Sequence, residues 1–103
     1  PILELGGNNT VIISDKNDDA HLARAATSLM ESLLGTCGQR CTDTRRLIVH
    51  DRVMARFLEL LKERYQNFIA EGHIKNPLEG GDNKYGFGPL IHAGAYQQFE
   101  HAK

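Results

Sequence analysis

Thr10-Val11-Ile12-Ile13-Ser14, running on through Asp15 to Asp19 and then into Leu22, Ala25, Ala26, Leu29, Met30, Leu33 and Leu34, decides the fold class. The first five residues are β-branched and nearly all apolar, the pattern of a strand covered on both faces. The acidic turn provides N-capping side chains and first-turn carboxylates for a helix. The apolar positions that follow recur at i, i+3, i+4, i+7, i+8, i+11 and i+12, a complete helical stripe. Gly35 is its expected stop. Arg45 to His50 predicts a second buried strand centred on Leu47-Ile48-Val49. Asp51 is the expected cap of a second helix, with Val53, Phe57, Leu60, Leu61, Tyr65 and Phe68 as its stripe. Strand, helix, strand, helix at these lengths predicts an α/β fold, a parallel βαβ unit with flanking helices, its crossover right-handed by rule.

Upstream, Ile2-Leu3-Glu4-Leu5 reads as a short extended run ended by Gly6-Gly7, with Asn8-Asn9 continuing the turn chemistry. Downstream, Glu71 to Pro89 reads as a loop rich in Gly, Asn and Pro. No strand leads directly into Gly80, and no GxGxxG or GKS/T pattern marks a phosphate-binding fingerprint. A third helix is expected from about His92, with Tyr96 and Phe99 on one face. The 103 residues make one domain at most, with a modest core. They open at Pro1 inside a strand pattern and close at Lys103 inside a helix pattern, so a piece of a larger protein is expected.

A net charge of −1 and a pI near 6.6 give no electrostatic reason to expect nucleic acid or an anionic membrane as partner. His21, His50, His73, His92 and His101 lack ligand spacing, so no metal site is expected. No apolar run approaches the length that spans a bilayer. The two cysteines fit reduced thiols in a cytoplasmic setting better than a disulfide scaffold.

Two stretches carry chemistry. In Gly38-Gln39-Arg40-Cys41-Thr42 a thiol stands beside a cation, between the helix and the second strand. A cysteine attacks as its thiolate, a form that nearby positive charge and backbone N–H groups favour. Most free cysteines are instead small buried residues. In Ile2-Leu3-Glu4-Leu5 a carboxylate interrupts an apolar run just before a double glycine. A carboxylate is costly to bury unpaired, so Glu4 lies either at the solvated end of an edge strand or in place as a general base.

Taken together, Glu4-Leu5-Gly6-Gly7-Asn8-Asn9 and Gly38-Gln39-Arg40-Cys41-Thr42, in this order and with a helix between them, resemble the aldehyde dehydrogenase superfamily. The resemblance continues through Arg45-Arg46-Leu47-Ile48-Val49-His50, Asn76-Pro77 and Gly88-Pro89-Leu90, and so covers essentially the whole chain, 1–103, as part of that family's catalytic domain. It implies that Cys41 attacks the aldehyde carbon to give a thiohemiacetal, with its own backbone N–H as half of an oxyanion hole. Hydride then leaves to NAD or NADP, and Glu4 activates the water that hydrolyses the resulting thioester. The Leu5 carbonyl and Gly6 are implied to lie near the nicotinamide. The family also implies a small-molecule aldehyde as substrate and a homo-oligomer as the assembled form.

Arg40 and the following Arg45-Arg46 look like the branch of the family that contains antiquitin, the α-aminoadipic semialdehyde dehydrogenases. There the arginine before the cysteine helps hold the substrate's carboxylate, a bidentate task that suits a planar guanidinium. The succinylglutamic semialdehyde enzymes resemble this stretch too. The other reading of Arg40 is a surface loop cation. Cys37 departs from the branch, which more often has a small apolar residue there, and the Glu79 to Phe87 loop looks longer than usual. Several parts of the family are not among these residues: the nucleotide-binding domain, the asparagine that completes the oxyanion hole, the groups that hold the cofactor ribose, and the dimerising strands. The isolated 103-residue chain is therefore not expected to oxidise aldehydes. Rival readings are a non-catalytic remnant or interaction fragment, and a cofactor-free thiol esterase using Cys41 and Glu4.

Cys41 is expected to be the more reactive thiol, because Arg40 adjoins it and glycine opens its loop, whereas Cys37 follows closely on a helix end. Limited alkylation with peptide mapping checks this, and preferential labelling of Cys37 would refute it.

Overall fold

The computed structural model describes residues 1–74, 76 and 87–103. Two parallel strands, β1 (Asn9–Ile13) and β2 (Thr44–Val49), form a two-stranded sheet, joined by helix α1 (Asp19–Leu34) and a short 3-10 turn (Gly35–Gly38). Helices α2 (Asp51–Ala70) and α3 (Ala93–Ala102) follow. The parallel βαβ unit with flanking helices is thus present. Lys75 and residues 77–86 lie outside the described residues, and with them most of the expected 71–89 loop, Pro77 of the Asn-Pro pair and the Glu79–Gly86 stretch.

Each helix begins where a side chain can take up an orphan N–H. Asp18 caps α1, its carboxylate accepting from the His21 N–H at 2.8 Å. That backbone hydrogen bond, followed by the His21 ring, holds the Asp18 carboxyl below the usual range. Gly35 ends α1, as expected. For α2 the cap is His50 and not Asp51, with His50 Nδ1 accepting from the Arg52 N–H at 3.2 Å. The reason is the ladder: the His50 N–H still donates to the Ile13 carbonyl at 2.9 Å, so His50 stays extended. Asp51 becomes the first helical residue, where its charge meets the positive end of the helix dipole.

The core lies on one face of the sheet. Ile13, Leu22, Ala26, Leu29 and Phe57 form its buried centre, with Val11, Leu47 and Val49 packed against it. Strand side chains alternate, so Ile12 and Ile48 point the other way, and they are 71% and 55% exposed. The expectation of strands covered on both faces therefore fails here, because the core formed with α1 and α2 lies on a single side. Ile2–Leu5 is likewise not a strand: among the described residues, 1–8 pair with nothing regular, and Ile2, Leu3 and Leu5 are exposed. An apolar run becomes a strand only where a neighbour satisfies its N–H and C=O groups, and the sheet begins at Asn9. Tyr96 and Phe99 of α3 are also exposed. Among the described residues no helix is long and apolar enough to cross a membrane.

Phe57 has no exposed surface and is the aromatic centre of the α1–α2 contact. Phe57→Ala is expected to destabilise the fold by about 3–5 kcal/mol, the range for emptying an aromatic core position. Chemical denaturation measures the loss, and a change within about 1 kcal/mol would show that α2 does not close this core.

Candidate active site

The crossover brings the end of α1, the start of β1 and the loop before β2 to the same end of the sheet. Ser32 near the end of α1 fastens the loop's exit, its Oγ lying 2.7 Å from Thr44 Oγ1 and accepting from the Thr44 N–H at 3.1 Å. Between them the chain makes an unusual passage. Thr36, Cys37 and Gly38 all have positive φ, at 48°, 57° and 69°. A left-handed conformation costs a β-branched residue on the order of 1–3 kcal/mol. Thr36 is held there partly by its own carbonyl, which accepts from the Gln39 backbone N–H at 3.2 Å and from Gln39 Nε2 at 2.9 Å. Gln39 Oε1 in turn accepts from the Ile91 N–H at 3.0 Å, which ties the loop to the segment ahead of α3. The Cys37 thiol is directed at the Gly88 carbonyl.

Residues 40–43 then form a turn in which the Asp43 N–H donates to the Arg40 carbonyl at 3.2 Å. Cys41 occupies the first inner position of that turn and is exposed. The Asp43 carboxylate locks the turn from below, accepting from the Arg40 N–H at 2.8 Å and from Arg40 Nε at 3.0 Å. Asp43 is 1% exposed. A buried carboxylate needs a cation and hydrogen bonds to stay charged at tolerable cost. Arg40 supplies both.

The guanidinium does more than pair with Asp43. Arg40 Nη2 donates to the Glu31 carbonyl at 3.3 Å, an acceptor in the last turn of α1 that also takes the Gly35 N–H. The cation thus sits at the negative end of the helix dipole. Gly35 makes room for it, since a Cβ there would collide with Arg40 Nη2 at 1.8 Å. Arg40, read from sequence as a substrate ligand or a loop cation, is therefore also the clasp that joins α1 to the Cys41 turn. Its side chain remains 47% exposed.

The first motif reaches this turn through its later residues. Asn9 Nδ2 donates to the Cys41 carbonyl at 2.7 Å and to the Asp43 carbonyl at 3.2 Å. Gly7 lies so close that a Cβ would stand 2.9 Å from the same Cys41 oxygen. Gly6, Gly7, Arg40 and Cys41 line one open cleft, together with Gln39 and His92. Glu4 and Leu5 are exposed and lie outside its lining. A Cβ on Gly6 would meet no atom within 4 Å. Asp43 and Asn9 were not singled out as site residues from the sequence. The signals for them were an acid three residues after Arg40 and a turn-forming amide at the mouth of a strand. Among the described residues no group of three or more His, Cys, Asp and Glu side chains could hold a metal ion.

Comparison with known proteins identifies the family. The sequence profile of the aldehyde dehydrogenase family matches residues 1–102. The putative aldehyde dehydrogenase family 7 member A1 homolog of Caenorhabditis elegans is 47% identical over 89 residues, which cover 86% of this chain and 15% of that protein. Aldehyde dehydrogenase family 7 member A1 of Pisum sativum is 40% identical over 99 residues, covering 96% of this chain and 18% of the relative. The α-aminoadipic semialdehyde dehydrogenase of Bos taurus is 37% identical over 89 residues, again 86% of this chain and 15% of the relative. The chain spans less than a fifth of the length of these curated relatives. With its cysteine turn docked against a double glycine, and with its similarity running from end to end, this chain belongs to the aldehyde dehydrogenase family.

Proposed function

We propose that this chain supplies the nucleophile of an NAD(P)-dependent oxidation of an amino-acid-derived semialdehyde to a carboxylic acid. The observation that carries the reading is the exposed Cys41 at the head of a turn fixed by Asp43 and Asn9, in a cleft that the double glycine also lines. The semialdehyde substrate rests on the activity for which the Bos taurus relative is named and on the cation beside the thiol.

Cys41 Sγ, as thiolate, attacks the aldehyde carbon. The carbonyl π electrons move to oxygen, and the Cys41 N–H would receive that oxyanion. NAD or NADP, bound in the whole protein, supplies the acceptor for the hydride that leaves this carbon. Leu5 and Gly6 are the residues of this chain that would hold its ring, and the open space at Gly6 fits a flat group. The product of that transfer is a thioester on Cys41. Glu4 then takes a proton from water as the water oxygen attacks the thioester carbon, Cys41 leaves as thiolate, and the carboxylic acid is released. Glu4 is two residues from the cleft-lining Gly6.

Arg40 has donors to spare for a substrate carboxylate, since the contacts to Asp43 and Glu31 use one hydrogen each from Nε and Nη2. The reading also includes a reducing, cytoplasmic setting, supported by two cysteines in the free thiol form, and a homo-oligomer.

In the full-length protein that carries this chain, Cys41→Ala is expected to abolish NADH production from α-aminoadipic semialdehyde. Arg40→Ala is expected to lower kcat/KM for that substrate by the equivalent of about 1–3 kcal/mol beyond the loss on a simple aliphatic aldehyde, which reports the clasp alone. Steady-state kinetics on the two substrates decide the matter. Turnover surviving in Cys41→Ala would overturn the reading, and equal losses on both substrates would assign Arg40 wholly to the clasp.

A further inference from the structure

The direction of a side chain is set by the two peptide planes that flank its Cα. For Cys41 the first plane contains the Arg40 carbonyl, which accepts from the Asp43 N–H at 3.2 Å and from Arg45 Nη2 at 3.3 Å. The second plane contains the Cys41 carbonyl, and there the donor is Asn9 Nδ2 at 2.7 Å. The first plane is thus held by the loop itself, whereas the second is held from the other motif, 32 positions away in sequence.

The strand register explains how Asn9 reaches it. Asn9 pairs with Thr44, but Thr10 pairs with Arg46, so Arg45 is an extra residue on β2. A bulge of this kind bends the strand and re-aims side chains. Here it sets Asn9 at the mouth of β1, where one amide spans the carbonyls of Cys41 and Asp43. Gly7 lets the chain pass over the same oxygen without a Cβ.

We infer that Asn9 is a positioning residue for the nucleophile: its amide fixes the Cys41–Thr42 peptide plane and thereby the direction in which the thiol and the Cys41 N–H face the substrate carbon. The inference rests on the proposed role of Cys41 as nucleophile. Asn9 itself touches no reacting atom. Its loss lowers the rate of attack while leaving substrate affinity in place, because the cleft wall contributed by Gly6 and Arg40 is unchanged.

The test uses the full-length protein and three variants. Asn9→Asp keeps the shape and replaces the donor with an oxygen, Asn9→Ala removes the group, and Gly7→Ala crowds both the Cys41 carbonyl and the Asn9 amide that holds it. Two measurements are made on each. One is the pre-steady-state burst of p-nitrophenol from p-nitrophenyl acetate, which reports acylation of Cys41 and needs no nicotinamide. The other is kcat and KM for α-aminoadipic semialdehyde with NAD. A misplaced nucleophile costs about 10- to 100-fold in rate, so the burst rate and kcat are expected to fall together by that factor while KM stays within about twofold. Gly7→Ala is expected to show the same split. A burst at the unmutated rate in Asn9→Asp and Asn9→Ala would overturn the inference. So would changes in kcat and KM together with faster alkylation of Cys37, which would mark a general loosening of the chain. An unmutated protein that shows an Asn9-dependent burst and yet oxidises no semialdehyde would sink the proposed reaction and leave the positioning role standing. An unmutated protein with no burst at all would overturn both, since Cys41 would then not be a nucleophile.

Discussion

The parallel pairing of β1 with β2 is the constraint on which the rest of this structure depends. Parallel neighbours cannot be joined by a tight turn, so a crossover element must carry the chain back, and α1 is that element. Its geometry returns the chain beside the start of β1, and the return segment is the Cys41 loop. The double-glycine segment, the Cys41 turn and the last turn of α1 therefore meet because the ladder runs in one direction. An antiparallel pairing of the same strands would place the Gly6-Gly7 segment at the opposite end from Cys41.

Within that frame the buried Asp43 sets the local order. Its carboxylate is nearly inaccessible to water, and its hydrogen bonds go to the backbone and side chain of one residue, Arg40. Removing one member of a buried pair leaves the other charge uncompensated, which costs more than the pair itself contributes. The exposed half of Arg40 moderates that cost, since solvent screens it. The exposed ion pairs elsewhere, such as Arg56 with Asp19, have no such leverage and serve as solvated links between α1 and α2. A guanidinium suits the Arg40 position because it can address Asp43 and the Glu31 carbonyl along different edges at once.

Most of the secondary structure was legible in the sequence because it rests on local periodicity. The stripe from Leu22 to Leu34 and the β-branched run from Val11 to Ile13 name their own elements. What failed was whatever depends on a neighbour. Ile2–Leu5 has strand composition without a partner strand, and Ile12 and Ile48 have core composition on a face that these helices do not cover. His50 displaced Asp51 as cap because one more ladder bond to Ile13 held it extended. In the site, sequence adjacency brought Arg40 and Cys41 to notice but said nothing of where the guanidinium turns. That was decided by Asp43, whose burial appears only in three dimensions. Asn9 stayed hidden for a related reason, since its contact with Cys41 depends on a one-residue shift of register at the bulge.

The distance in sequence between Asn9 and Cys41 has a consequence for how the protein comes into being. During synthesis the double-glycine segment emerges well before the cysteine, and α1, whose contacts are local, can form in well under a millisecond once it is free. The turn around Cys41 gains its second anchor only when β2 docks beside β1, and that closure of a long loop is the entropically slow event. A chain arrested before docking lacks the Asn9 hydrogen bond to the Cys41 carbonyl. The orientation of the Cys41 turn is thus fixed late in folding, and it records whether the two strands have found each other.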